Sequence, residues 1–538
     1  MKKARVIIYP MLLLLLVQSC TCKKSSSGDN NVFRFNMKDG ITSLDPAFAK
    51  DQATMWGANQ LFNGLVQVDD QLDVQPSIAT SWVISPDAKT YTFFLRSDVY
   101  FHDDPAFEGG KGRKVVAKDF VYSLNRLIDS TVASTGGWLF NGKVDEAKPF
   151  EAINDTTFVI HLKFPFKPLL GLLTLQYCSV VPKEVVDKFG KDFRKHPIGT
   201  GPFKLKVWDE NNYLVLTKNE RYFEKKDGKQ LPFLDGVKIS FGADKAIEFD
   251  NFSNGKLDYF TGVDQNIKDK IFTKEGDVKP EYKQKFNFDK GPYLNTEYLG
   301  FDLAHPTNPA LKNKKVRQAI NYGIDREKLI VFLRNKIGKA ANAGMVPYGL
   351  PGFDPSKVNG YSYQPEKVKQ LLIEAGYPNG EGIGEIKLMT NPGYLDLCTA
   401  IKKDLELFGI KITLENVPPP FLRESMRNGK AGFFRASWIG DYPDAENYLA
   451  LFYGGYEAPP NYTFFKNAAY DKLYEQLMQT ADQAQAAELI HKMENIILDE
   501  APVVPLFYDE VVRLTSKRVK YLPLNAMNLM VLKEAVIE

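Results

Sequence analysis

The 538-residue sequence has little of what metal binding or catalysis requires. It contains five histidines, and no two of them lie at the spacing that places a pair of zinc ligands on one helix face. It has neither a Gly-x-Ser-x-Gly nucleophile turn nor a Gly-x-x-x-x-Gly-Lys-Ser/Thr phosphate loop. We therefore predict no metal, no cofactor and no catalytic residue, and we do not expect an enzyme.

The sequence also lacks an excess of charge of one sign. Lys and Arg number 69 against 66 Asp and Glu, and Lys2, Lys3 and Arg5 account for the difference. A protein that neutralises nucleic-acid phosphates carries a clear basic excess, so nucleic acid is not an expected partner. Beyond the N-terminus there is no run of eighteen apolar residues, and the rest of the chain is not predicted to span a membrane.

Cysteine is scarce, with four residues in all. Cys20 and Cys22 belong to the N-terminal region, whereas Cys178 and Cys398 lie 220 positions apart in apolar stretches. Such a set cannot form a disulfide framework. We predict that Cys178 and Cys398 are buried free thiols.

The N-terminus has the organisation of an export signal. A short basic segment precedes an apolar run from Val6 to Val17, which is too short for a spanning helix. The following Val17-Gln18-Ser19-Cys20 resembles the lipobox of bacterial lipoproteins, which implies a signal peptide over 1–19 and lipidation of Cys20. Residues 20–30 are polar and small and predict a flexible tether. An ordinary cleaved signal is the alternative, and Cys22 is a second, poorer candidate for lipidation.

The remaining chain shows mixed α and β patterns. Strands are predicted at 91–96, 157–162 and 214–216, and amphipathic helices at 117–128, 314–333, 365–375, 395–408 and 469–498. Gly199-Thr200-Gly201-Pro202-Phe203 begins like a dinucleotide-binding loop, but Pro202 removes a backbone donor and strand-like residues follow where a helix should start. A tight turn is the favoured interpretation of this segment.

Seven segments, in this order, resemble the extracytoplasmic solute-binding proteins of ABC importers, in the family that includes oligopeptide- and dipeptide-binding proteins. They are Ser43-Leu44-Asp45-Pro46, Leu61-Phe62-Asn63-Gly64-Leu65, Pro76 to Trp82, Tyr91 to Asp103, Ala117 to Ser123, Pro197 to Phe203 and Val316 to Arg326. Each segment alone is weak evidence, but all seven stand in the family's order, and the resemblance covers nearly the whole chain after the signal.

The resemblance implies an α/β, two-lobed periplasmic-binding-protein-like fold of the class with two crossover strands. Lobe one would comprise 31–292 plus 503–538, with an extra subdomain inserted at about 65–182, and lobe two would comprise 293–502. A ligand would be enclosed between the lobes by hinge closure.

The segment from Arg435 to Asp444 carries the expected ligand site. In peptide-binding relatives an aspartate here faces the α-ammonium of the peptide and a nearby arginine faces negative charge, and Asp441 and Arg435 match them. A buried ammonium needs a carboxylate to offset its desolvation. Ser437, Trp438 and Ile439 would pair with the ligand backbone as an added strand does. Lys50-Asp51-Gln52 lies where lobe one would offer the opposite edge, but its residues do not match the family closely.

These residues also have ordinary structural interpretations. Asp441 precedes Tyr442-Pro443 and suits a turn. Arg435 could be a surface charge or an internal ion-pair partner, and Trp438 suits a core as well as a cleft wall. Core burial is the favoured interpretation of Phe507 and Tyr508.

The expected function is that of a monomeric, membrane-anchored lipoprotein on the periplasmic side of the cell envelope, which captures short peptides and delivers them to an ABC permease. The alternatives are a binder of nickel chelates, haem or oligosaccharides with the same fold, an extracytoplasmic peptide hydrolase, and a sensor or chaperone-like lipoprotein that presents ligands to a signalling partner.

Overall fold

The computed structural model of the chain describes residues 31–262, 267–480 and 482–538. The predicted signal peptide, the lipidation site Cys20 and the tether lie outside these residues. Over the described ranges, no helix is both long enough and apolar enough to cross a bilayer.

The strands fall into three main sheets and three two-stranded ribbons. In chain order they are β1 (Val32–Met37), β2 (Val66–Val68), β3 (Val74–Pro76), β4 (Ala79–Ile84), β5 (Thr90–Leu95), β6 (Phe150–Asn154), β7 (Thr157–His161), β8 (Phe203–Asp209), β9 (Tyr213–Lys218), β10 (Lys225–Lys226), β11 (Lys229–Gln230), β12 (Gly236–Phe241), β13 (Tyr259–Thr261), β14 (Phe286–Phe301), β15 (Lys339–Ala340), β16 (Glu385–Thr390), β17 (Lys411–Asn416), β18 (Phe433–Ile439), β19 (Val503–Ser516), β20 (Val519–Tyr521) and β21 (Val536–Ile537).

The helices are distributed along the whole described chain. They are α1 (Gln52–Leu61), α2 (Ala117–Ile128), α3 (Leu169–Leu172), α4 (Lys183–Phe189), α5 (Lys245–Ser253), α6 (Lys268–Ile271), α7 (Pro280–Lys283), α8 (Lys314–Tyr322), α9 (Arg326–Arg334), α10 (Pro365–Glu374), α11 (Leu395–Glu406), α12 (Pro419–Arg427), α13 (Glu446–Leu449), α14 (Ala468–Gln479) and α15 (Gln483–Glu500).

The three predicted strands and the helices at 117–128, 365–375 and 395–408 are confirmed to within one or two residues. Two predicted helices were wrong in length, because each is a pair of helices. The 314–333 helix ends at Tyr322, and α9 starts after Asp325, whose carboxylate accepts the Lys328 N–H as an N-cap. The 469–498 helix ends at Gln479, and Asp482 caps the start of α15. Apolar periodicity continues across both breaks, which hides them.

The largest sheet joins the two halves of the chain. Its order is β13-β19-β14-β18-β16-β17, and β15 adds to β19. The two longest strands, β14 and β19, run antiparallel side by side. Their pairing is interrupted between Pro292 and Thr296, where Tyr293 to Asn295 stand opposite Asp509 alone. This break is a bulge in the connection between the two halves.

Two lobes follow from the packing of the apolar side chains. One core contains residues from 33 to 259 and from 519 to 537, including the sheet β4-β5-β7-β6, and we call this part the first lobe. Two further cores are built almost wholly from residues 294–507, which we call the second lobe. The region around 65–182 shares the first core instead of forming its own. The domain boundaries given above stay predictions.

Several of the seven segments serve packing. Arg317 and Arg326 are buried, and their guanidinium groups donate to the backbone carbonyls of Ala501 and Pro505, where β19 begins. Gly199 and Gly201 lie against the backbone at the end of α1, because a Cβ on either would come within 2.3 Å of Leu61 atoms. Cys178 and Cys398 are free and buried, and Phe507 and Tyr508 are also buried, as predicted.

Candidate functional site

Strand β18 has one edge that is only partly paired. Along one edge it pairs with β14 from Phe433 to Ile439, whereas along the other it meets β16 at Phe434 alone. Within the described residues no strand covers that second edge from Ser437 to Ile439. The open stretch therefore presents unpaired backbone groups, as an edge strand does.

The register shows which backbone groups are open. The Gly440 N–H donates to the Leu294 carbonyl at 2.7 Å, on the β14 side. Because backbone groups alternate between the two edges of a strand, those of Trp438 also face β14. The N–H and C=O groups of Ser437 and Ile439 then point to the open edge. The structure brings these two residues together at a surface that an extended chain can pair with.

Asp441 lies just beyond the end of this open edge. Gly440 permits the turn into the loop, since a Cβ there would lie 2.9 Å from the Tyr448 hydroxyl. The Asp441 side chain is reached by solvent, yet the protein crowds its carboxylate, and burial raises its pKa. Asn447 is its hydrogen-bond partner at 3.4 Å, and no Lys or Arg of the described chain pairs with it. Asp441 is a carboxylate without a cation.

Tyr177 of the first lobe lies within reach of the charges of both Asp441 and Asp51. Burial raises the pKa of Tyr177, and the negative charges of Asp441 and Asp51 raise it further. The two carboxylates come from different lobes, and both act on Tyr177. Asp51 also caps helix α1 by accepting the Thr54 N–H at 2.9 Å. Asp51, from the weakly predicted segment at 50–52, thus acts on the same tyrosine as Asp441.

Arg435 is an internal ion-pair partner in this structure. Its guanidinium donates to Glu297 at 2.9 Å through Nε and again through Nη2, and it lies over the Tyr394 ring, 3.0 Å from the centroid. Arg435 and Glu297 are both almost fully buried, and burial raises the pKa of Glu297 although the Arg435 charge opposes this. The structure therefore agrees with the interpretation of Arg435 as an internal ion-pair partner. A role of Arg435 toward a ligand stays a prediction.

Trp438 and Asp441 share one organising residue that sequence analysis missed. Asn447 is buried. Its side-chain oxygen accepts hydrogen bonds from the Trp438 indole N–H at 2.8 Å and from the Asp441 backbone N–H at 3.1 Å. The Trp438 ring is partly buried and packs on the second-lobe core, and its role as a cleft wall stays a prediction. Asn447 is the second residue of the short helix α13 and no motif marks it, so only the fold reveals its position.

The described residues contain no cluster of three or more His, Cys, Asp or Glu side chains that could hold a metal ion. The site offers a strand edge, the Asp441 carboxylate without a cation, and the aromatic side chains of Trp438 and Tyr177. This chemistry suits a ligand that has hydrogen-bonding groups along its length and a positive end.

Comparison with known proteins decides the family. The family model described as bacterial extracellular solute-binding proteins, family 5 (middle), matches residues 73–460. The chain belongs to this family. The match extends over both lobes and includes the open edge of β18 and Asp441.

Relatives cover nearly the full length. The dipeptide-binding protein DppE of Bacillus subtilis is 26% identical over 92% of this chain and 90% of its own. The heme-binding protein A of Haemophilus influenzae is 27% identical over 95% and 94%. Among solved structures, the periplasmic binding protein DppA from Helicobacter pylori in complex with the peptide STSA has a TM-score of 0.75 at 25% identity, covering 94% of this chain and 98% of that chain. The predicted family and two-lobed α/β fold are confirmed.

Proposed function

We propose that this solute-binding protein captures short peptides between its two lobes and delivers them to an ABC permease. The observation that carries the proposal is Asp441, a carboxylate without a cation at the end of an unpaired strand edge. An extended peptide pairs with such an edge through its backbone, whatever its side chains, and its α-ammonium supplies the missing positive charge.

The position of the aspartate fits the direction of the edge. A peptide whose ammonium meets Asp441 runs along Ile439 and Ser437, which lie two and four positions before it. At about 3.3 Å per residue, this edge accommodates roughly two to four peptide residues. Two relatives named above are described by dipeptide binding or a bound peptide, which agrees with this length, whereas one is described as binding heme.

The envelope location and the lipid anchor belong to the same proposal. The family is extracellular by its description. Cys20 would carry the lipid and hold the two lobes at the membrane through the 20–30 tether. Metabolic labelling with a palmitate analogue tests this directly. We expect label on the wild type and none on a Cys20→Ser variant. Label on both proteins would place the lipid on another residue, and Cys22→Ser would then be the next variant.

The ligand class is tested by mass spectrometry of the small molecules that the purified protein releases on denaturation. We expect a mixture of short peptides from the wild type and their loss from Asp441→Asn. Asp444→Asn is the matched control, because it removes a carboxylate from the same loop while an asparagine can still accept the Glu446 N–H, and it should keep the peptides. Release of heme or another single non-peptide compound from all three proteins would overturn the proposal.

A further inference from the structure

The loop that carries Asp441 also makes a contact between the two lobes. The next residue, Tyr442, has only 5% of its surface exposed, and its ring belongs to the core of the first lobe. Among the described residues, every other buried member of that core comes from residues 33–259 or 519–537, and Met478 of the second lobe packs against it while only partly buried. Tyr442 is thus a second-lobe side chain inserted into the core of the other lobe.

The first lobe accommodates the ring at a glycine. A Cβ built on Gly171 of α3 would lie 3.9 Å from the Cβ and Cδ2 atoms of Tyr442 and from Cδ of Pro443. Close by, the Lys167 N–H donates to the Met478 carbonyl at 3.3 Å, which is a direct backbone hydrogen bond between the lobes. These contacts define one local interface between the lobes.

The hydroxyl end of Tyr442 is held in the second lobe. It donates to the carboxylate of Glu446, which also accepts a hydrogen bond from the Tyr474 hydroxyl. Glu446 is buried. The negative charge of Asp444 on the same loop raises the pKa of Glu446, and the positive charge of Lys143 from the first lobe lowers it. The ring is therefore fixed in orientation by its own lobe and packed by the other.

We propose that Tyr442 is the latch of lobe closure: ligand binding at Asp441 orders the loop, and the adjacent Tyr442 ring then enters the first-lobe core against Gly171. Opening the lobes would withdraw the ring into water, which is unfavourable for an aromatic side chain. A ligand that fixes the loop favours the inserted state and so shifts the population toward the closed form. The proposal uses the proposed function only in assigning Asp441 to the ligand.

Small-angle X-ray scattering of the purified protein tests the latch, with and without a saturating tryptic digest of casein as the peptide probe. In whichever of the two conditions the wild type is more compact, we expect Tyr442→Ala and Gly171→Leu to have a larger radius of gyration than the wild type. Gly171→Leu places a bulky side chain on the first-lobe side of the contact and leaves Tyr442 unchanged. Tyr442→Phe keeps the ring and should stay compact.

Tyr470→Ala is the matched control, because Tyr470 is an equally buried tyrosine of the second-lobe core and its hydroxyl donates to Leu449 within that lobe. It should lose stability without expanding, and circular dichroism checks that each variant is folded. Tyr442→Ala and Gly171→Leu proteins as compact as the wild type would overturn the latch. So would a wild type that stays extended in both conditions. Neither result depends on which molecules the protein releases, so failure of the proposed function is seen separately.

Discussion

Arg435 on β18 and Glu297 on the adjacent strand β14 form a buried ion pair, although the strand register sets Arg435 opposite Leu299 and Glu297 opposite Ser437. One oxygen of Glu297 takes both contacts from Arg435, and the other, Oε1, has no hydrogen-bond partner in the described structure. Removing one partner of a buried pair leaves an uncompensated charge, which is more costly than removing both.

We expect Arg435→Met and Glu297→Leu each to lower the free energy of unfolding by about 3 to 5 kcal/mol, and the double variant to cost clearly less than their sum. Urea unfolding of the four proteins measures this coupling. Strictly additive costs would show that the two charges are independently solvated and that the pair is not formed in solution.

The open edge of β18 predicts a separable effect of proline. Proline is tolerated in a strand where the missing N–H faces away from the sheet. Ser437→Pro removes an N–H donor on the open edge. We expect the affinity for peptides to fall at least tenfold while the protein still folds, because one backbone hydrogen bond to the peptide and the fit of the added strand are lost. Trp438→Pro removes a donor that faces β14 and should unfold or strongly destabilise the second lobe. Equal stability losses for both variants would contradict the assigned register.

The family, the fold class and the elements that have a clean periodicity could be predicted from the sequence. The predicted bounds of α2 are correct because apolar residues recur at helical spacing over its whole length. The predicted helix at 314–333 merges α8 with α9 because only Gly323 to Asp325 mark the break. Resemblance points to Asp441, but Glu297, Asn447 and Tyr177 lie 144, 6 and 264 positions away in sequence and join the site through folding alone.

Gly201 predicts a steric effect in one of the segments shared with the family. A Cβ on Gly201 would lie 2.3 Å from the carbonyl carbon of Leu61, and backbone cannot move aside as a flexible side chain does. We expect Gly201→Ala to lower the free energy of unfolding by about 3 kcal/mol. Gly171→Ala meets its neighbours at an ordinary 3.9 Å and should change stability by less than about 1 kcal/mol. Similar thermal unfolding of the two variants would contradict the packing of the segment at 199–203.

Two buried glutamates predict a loss of stability with rising pH. Burial raises the pKa of Glu446 and of Glu494 from 4.5 to about 7. The folded state therefore holds these protons more tightly than the unfolded chain does. Their contribution is fully present below pH 4.5 and is lost as pH rises to about 7, on the order of 2 to 3 kcal/mol for each group.

Urea unfolding at about pH 5 and about pH 7.5 brackets most of this window. We expect Glu446→Gln and Glu494→Gln each to reduce the difference in unfolding free energy between the two pH values relative to the wild type. Glu475→Gln, which changes an exposed glutamate of α14, is the control and should leave the difference unchanged. An unchanged difference in both buried variants would show that these carboxyls titrate normally.

The measurement that bears most directly on the recognition of a peptide ammonium by Asp441 is calorimetric titration with one synthetic peptide, chosen from those that the protein releases, in free and N-acetylated forms. We predict that acetylation weakens binding to the wild type by at least tenfold, and that Asp441→Asn binds the two forms with similarly low affinity, because the carboxylate and the ammonium act as a pair. Equal binding of both forms by the wild type, or the same acetylation penalty in Asp441→Asn, would contradict the assignment of Asp441 to the peptide amine.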